Sequence, residues 1–208
     1  MHGSGKFDES GEPIGLDDGF LTMLRPYRGL REHNFHVVMQ ALFVVGERFH
    51  SSDVIDRKLV ESLWSMCSRT RCWGLDPKGM LRRNNLISEE DIRRLESWIE
   101  IFERSTFGLL RGCPPHDEVE RYAQYIIDVG PSDNIRYFIP LMQRFLEDPD
   151  CSSSDPSVIA EALGRLGASA RDVLPALYAA NKRTYPSYCD VEAHDTIANA
   201  IRLIETDR

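Results

Sequence analysis

Apolar residues recur along this chain every three to four positions, and runs in which apolar and polar residues simply alternate are almost absent. That period belongs to the helix and not the strand, so the pattern predicts an all-α protein. Asp17–Arg25 reads as a short helix stopped by Pro26. A long helix is expected over Glu32–Phe49, where Phe35, Val38, Met39, Leu42, Val45 and Phe49 make one broad apolar stripe. Ser51, Ser52 and Asp53 supply capping side chains for a helix over Val54–Cys72. Leu59, Leu63 and Met66 line one side of it, with Val60, Trp64 and Cys67 alongside. Trp73–Asn85 carries two Gly, one Pro and two Asn and reads as a loop. Ser88 then forms a capping box with Asp91 for a helix to Leu110, with Gly112 as its stop and Pro114-Pro115 preventing continuation.

Beyond that point the pattern repeats. Tyr122, Tyr125, Ile126 and Val129 are matched 37 residues later by Ile159, Ala162, Leu163 and Leu166, and 38 residues further on by Ile197, Ala200, Ile201 and Ile204. Gly130 and Gly167 follow the first two copies, where a helix end favours a left-handed residue. A second helix follows each: Phe138, Ile139 and Met142 correspond to Val173, Leu174 and Leu177, beside Pro140 and Pro175. Asp155 is placed as an N-cap with Pro156 at the first helical position. The third copy ends after one helix. A period near 37 residues built of two amphipathic helices is the mark of an α-solenoid, because each hairpin has apolar stripes that only a stacked neighbour can bury.

The segment "DPSVIAEALGRLGASARDVLPALYAANK" (Asp155–Lys182) resembles a HEAT repeat of the short bacterial, phycobilisome-lyase-like type, in its E-A-L-G-x-L-G ending and V-x-P-A-L second helix. The match is partial over Glu118–Asp148 and Val191–Thr206, and Arg183–Asp190 is longer than the family's tight inter-repeat turn. The resemblance implies a short right-handed α-solenoid of HEAT-like hairpins over residues 113–208. Residues 20–112 are then divergent repeats or a helical cap, after a flexible tail over 1–19.

Composition narrows this little. The 208 residues are 42% hydrophobic and 28% charged, ordinary for one globular domain or two packed ones. No apolar run approaches a membrane span, and the polar, Gly-rich start has no signal-peptide core, which gives a cytoplasmic reading. Five cysteines without a CxxC read as reduced thiols. Charge is uneven: residues 21–112 hold 15 basic and 12 acidic side chains, residues 113–208 hold 9 and 16. An acidic repeat half argues against nucleic acid and suits a basic protein partner.

Candidate chemistry is sparse. His33 and His36 lie three apart on the long helix, beside Glu32, but no HExxH occurs, and they read as surface or packing residues. HEAT-like iron hydroxylases use His-Glu pairs once per repeat; here His194-Asp195 and His116-Asp117 are not at equivalent positions, and that class is rejected. Cys67 and Cys72, five apart, diverge by about 140° on an α-helix and are not expected to share a site. Phosphate-binding loops and G-x-S-x-G elbows are absent, and no metal or cofactor is expected.

Two surfaces stand out instead. The resemblance places the second helices on the concave face, where Arg136, Tyr137, Gln143, Arg144, Arg171, Tyr178, Asn181 and Lys182 lie off the apolar stripe, a composition suited to protein recognition. A second patch gathers Arg71, Trp73, Arg82 and Arg83, with Arg69 and Lys78, around the Gly/Pro loop. The leading expectation is a non-enzymatic binding module or adaptor, one form being a bacterial immunity or regulatory protein that masks a basic partner. The alternative is a HEAT-like enzyme or lyase accessory holding a small ligand near the Trp73 loop. A third is a cap or homodimer module, in which Asn199, Arg202 and Glu205, interleaved with the last stripe, favour a capped end.

Overall fold

The computed structural model describes residues 19–50, 54–113, 115–129, 138–147, 156–185 and 190–207. Every regular element among them is helical, and the only bridge outside a helix is the isolated one between Leu24 and Tyr27. The α-helices are α1 (Glu32–His50), α2 (Arg57–Thr70), α3 (Met80–Arg83), α4 (Glu89–Leu110), α5 (Pro115–Val129), α6 (Ile139–Glu147), α7 (Ser157–Arg165), α8 (Leu174–Ala180) and α9 (Asp190–Thr206). A π-turn, Arg71–Leu75, continues α2, and a 3-10 helix, Gly167–Val173, precedes α8. No helix among the described residues is long and apolar enough to cross a membrane.

The chain divides into two compact units. The first comprises residues 1–39 and 51–107, and the second residues 40–50 and 108–208. In the first unit the core is aromatic. Phe35 of α1 stacks on Trp98 of α4, with centroids 5.0 Å apart and ring planes within 3°. Met23, Leu24, Leu81 and Leu95 are fully enclosed in the same unit. Tyr27 donates to Asp91 at 2.7 Å, which ties the turn after Pro26 to the start of α4. Burial first, then that bond, raises the Tyr27 phenol.

The expected short helix before Pro26 does not form over the described part, Gly19–Arg25, which is a series of turns. Thr22 donates to the Gly19 carbonyl at 2.7 Å, and Met23 N–H to the same oxygen at 3.2 Å. Local side-chain bonding of this kind competes with helix growth. α2 begins later than the pattern suggested. Asp56 caps it, accepting from Lys58 N–H at 2.7 Å, while the expected caps at 51–53 lie outside the described residues. Asp91 N–H donates to Ser88 Oγ at 3.1 Å, one half of the expected capping box, while the Asp91 carboxylate accepts from Tyr27. Gly112 closes α4 at φ +75°.

In the second unit α5 packs on α7, α7 on α9, and α6 on α8. The repeat stripe is the reason. Tyr122, Ile126, Ile159, Ala162, Leu163, Ile197, Ala200 and Ile204 are all enclosed. So are their second-helix counterparts Phe138, Met142, Val173 and Leu177. Tyr122 meets Phe138 at 4.0 Å between ring centroids, which joins α5 to the start of α6. α7 and α9 approach closely at Gly164, where a Cβ would stand 3.0 Å from Ala200 Cα. Gly167 adopts φ +53° after α7, the left-handed stop expected there, and the turn into α8 tightens into a 3-10 helix. Gly130 and Asp155 lie outside the described residues.

Candidate functional site

Two surfaces were marked by the sequence, one in each unit. The eight side chains marked for the second-helix surface separate into four groups. Arg136 and Tyr137 lie outside the described residues. Arg171, Tyr178 and Asn181 turn toward α9 and its end. Arg171 donates to the Asp207 carbonyl at 2.8 Å, Tyr178 to Glu205 at 2.5 Å, and Asn181 Oδ1 lies 3.1 Å from His194 Nδ1. The Glu205 bond raises the Tyr178 phenol. These residues fasten the last helix to the stack. Gln143 bonds Glu147 one turn along α6 at 2.8 Å. Arg144 and Lys182 are exposed, with Pro140, Pro175 and Ala179.

The loop patch in the first unit is rearranged more strongly. The stretch read as loop from Trp73 holds the π-turn and α3. Asp76 N–H reaches back five residues to the Arg71 carbonyl at 2.8 Å. Gly79 N–H then donates to the Asp76 carbonyl at 2.7 Å. Only glycine fits at 79: a Cβ there would be 2.5 Å from the Cys72 carbonyl oxygen, 2.8 Å from that of Asp76 and 2.9 Å from that of Trp73. The chain folds back over its own carbonyls at this point.

Trp73 is half-buried, with the guanidinium groups of Arg69 at 5.6 Å and Arg25 at 5.5 Å from its ring centre. Arg71 leaves this cluster. Its Nε donates to Glu103 at 2.6 Å in a two-pronged pair, and the same bond raises the guanidinium further above its usual value. Arg82 donates to the Leu75 carbonyl at 3.2 Å, and Arg83 is exposed. The four marked residues therefore do not converge on one ligand position.

A groove of about 730 Å³ opens on the other side of Arg71. Trp64, Cys67, Arg71, Cys72 and Leu75 line it from α2 and the π-turn, and Glu96 and Glu103 line it from α4. Cys67 and Cys72 share this groove, contrary to the divergence expected of an uninterrupted α-helix. The slower winding of the π-turn narrows the angle between them, and the groove is wide. Burial pushes the Cys67 thiol up to about 11, with nearby Glu103 adding to the shift. Trp64, placed alongside the buried stripe of α2 by its spacing, is 72% exposed instead. The acidic wall was missed in the sequence, although a signal was there: Glu96 and Glu103 are seven apart on one helix and so share a face.

His36 is fully enclosed, 3.4 Å from Glu32 on the preceding turn. Burial holds its imidazole below the ordinary value, opposed by that carboxylate. It packs against Phe35, centroids 5.5 Å apart. Among the described residues no three His, Cys, Asp or Glu side chains gather as metal ligands. Comparison with protein-family models, curated proteins and solved structures finds no match to this chain.

Proposed function

We propose that this protein is a non-enzymatic protein-binding module whose second unit is a short, right-handed, HEAT-like solenoid. The observation that supports it is the order of packing: α5, α7 and α9 succeed one another, and α6 packs on α8. Stacked hairpins of this kind commonly offer their second helices to a partner. Arg144 and Lys182 are exposed cations on that side, as is Arg171, which is engaged by the Asp207 carbonyl. The acidity of residues 113–208 suits a basic partner that is masked, as an immunity or regulatory protein would do, with Arg144 and Lys182 as local anchors to carbonyl or carboxylate acceptors within that partner.

The test is a quantitative pull-down from the source cells with two baits, the native chain and an Arg144→Ala/Lys182→Ala variant of equal melting temperature. One stoichiometric protein partner, lost by the variant, supports the reading. A partner kept at full yield removes this face from it. Two baits that stay folded and bring down nothing remove the binding reading itself.

The groove at the π-turn favours a second reading, an enzyme or lyase accessory, with the small ligand beside Trp64 and not at Trp73, which does not line the groove. Its volume of about 730 Å³ is that of a ligand site. A thermal-shift series with open-chain tetrapyrroles tests it, and no shift at saturating concentrations would retire it.

A further inference from the structure

The groove in the first unit combines an open indole face with an excess of acid, Asp76, Glu96 and Glu103 against Arg71. Trp64 is 72% exposed and has no cationic or aromatic partner among the described residues. Of the carboxylates that line the groove, Glu103 is taken by Arg71. Asp76 and Glu96 are exposed on the rim, and neither has an ion pair among the described residues. Asp76 accepts only the Lys78 backbone N–H, at 2.7 Å. An exposed indole toward one end of the groove and two carboxylates toward the other both attract flat cations, through the ring quadrupole and through charge. The same unit already shows the pairing, since Trp73 takes two guanidinium groups.

We infer that this groove docks an arginine-rich segment of a partner protein, with one guanidinium over Trp64 and a second within reach of Asp76 and Glu96. Arginine fits better than lysine at both ends, because its planar group stacks on a ring and its fork engages a carboxylate. The chain's own first 18 residues are excluded as occupant by charge, with Lys6 set against Asp8, Glu9, Glu12, Asp17 and Asp18. A second copy is disfavoured for the same reason, at a net charge of −8 per chain. This site does not rest on the α6 and α8 reading and stands or falls alone.

The full chain is titrated at physiological salt with a capped Gly-Arg repeat peptide and with its citrulline counterpart, which keeps the shape and loses the charge. The expected result is binding of the arginine peptide at least about tenfold tighter than the citrulline one. Trp64→Ala and Asp76→Asn/Glu96→Gln should each weaken it about tenfold. The arginine peptide should also slow modification of the exposed Cys72 by a disulfide reagent in the native chain and not in Trp64→Ala. Glu192→Gln/Asp195→Asn on α9 removes the same charge from the second unit and should change nothing. All the replaced side chains are exposed, and unchanged circular dichroism verifies each fold. The inference is overturned if the peptide fails to bind at millimolar concentration, if the groove variants bind like the native chain, or if the α9 control weakens binding equally.

Discussion

His36 and Cys67 show how burial leads in setting the chemistry of single residues here. His36 is held neutral in the fold, whereas an unfolded imidazole takes up a proton near pH 6.5. The unfolded state therefore binds more protons as pH falls below about 6.5, and stability drops there and not above it. The contribution reaches at most about 1.4 kcal/mol per pH unit for one such group. Urea midpoints at pH 7.5 and 5.5 should separate less in His36→Gln than in the native chain. For Cys67 the raised value, about 11, leaves almost no thiolate near neutrality. Alkylation followed by peptide mapping at pH 8 should mark Cys72 well before Cys67, and the Cys67 rate should climb about tenfold per pH unit toward pH 11. Equal rates for the two thiols at pH 8 would contradict the burial argument.

Elements divide into those their own pattern dictates and those decided by contacts from elsewhere. α1, α4, α7 and α9 were legible from their apolar stripes, α4 also from the signals at its ends, Ser88 and Gly112, and α7 from Gly167 after it. The π-turn was not legible, because nothing in "RCWGL" differs from an ordinary helix ending before Asp76 and Pro77. Its closure depends on Gly79 arriving over three carbonyl oxygens, a contact that no periodicity encodes. Gly79→Ala must displace backbone to be accommodated and should destabilise by about 2 kcal/mol or more, read from denaturant midpoints. Gly164→Ala forces α7 from α9 at Ala200 but gains helix propensity, so a net loss of about 1–2 kcal/mol is expected. Ala200→Gly in the same chain should recover part of it, whereas no recovery would mean the strain lies elsewhere.

For the whole molecule, the repeat in the second half and its all-helical character were readable from spacing alone. The candidate surfaces were less so, because side-chain partners depend on how helices meet. Arg171, Tyr178 and Asn181 sit off the apolar stripe, as the sequence suggested, yet they bond α9 and its end. That makes α9 the fastening of the second unit. It buries Ala193, Ile197, Ala200 and Ile204 against the stack. A chain ended after Tyr185 would expose the α7 face around Ile159 and Leu163. We expect it to lose cooperative thermal unfolding and to bind a hydrophobic dye, while a sharp transition would show that α5 to α8 suffice.

The π-turn behaves as a helix that has swallowed one extra residue. Removing a single residue from Arg71–Leu75 would let the ordinary ladder close, at almost no change in composition. The upstream helix would keep its facing, because five residues wound at roughly 4.4 per turn cover nearly the same angle as four at 3.6. Trp64 would stay on the groove and Leu63, now buried, in the core. A one-residue deletion should thus cost less here than in the middle of α2, where it would turn every upstream side chain by about 100°.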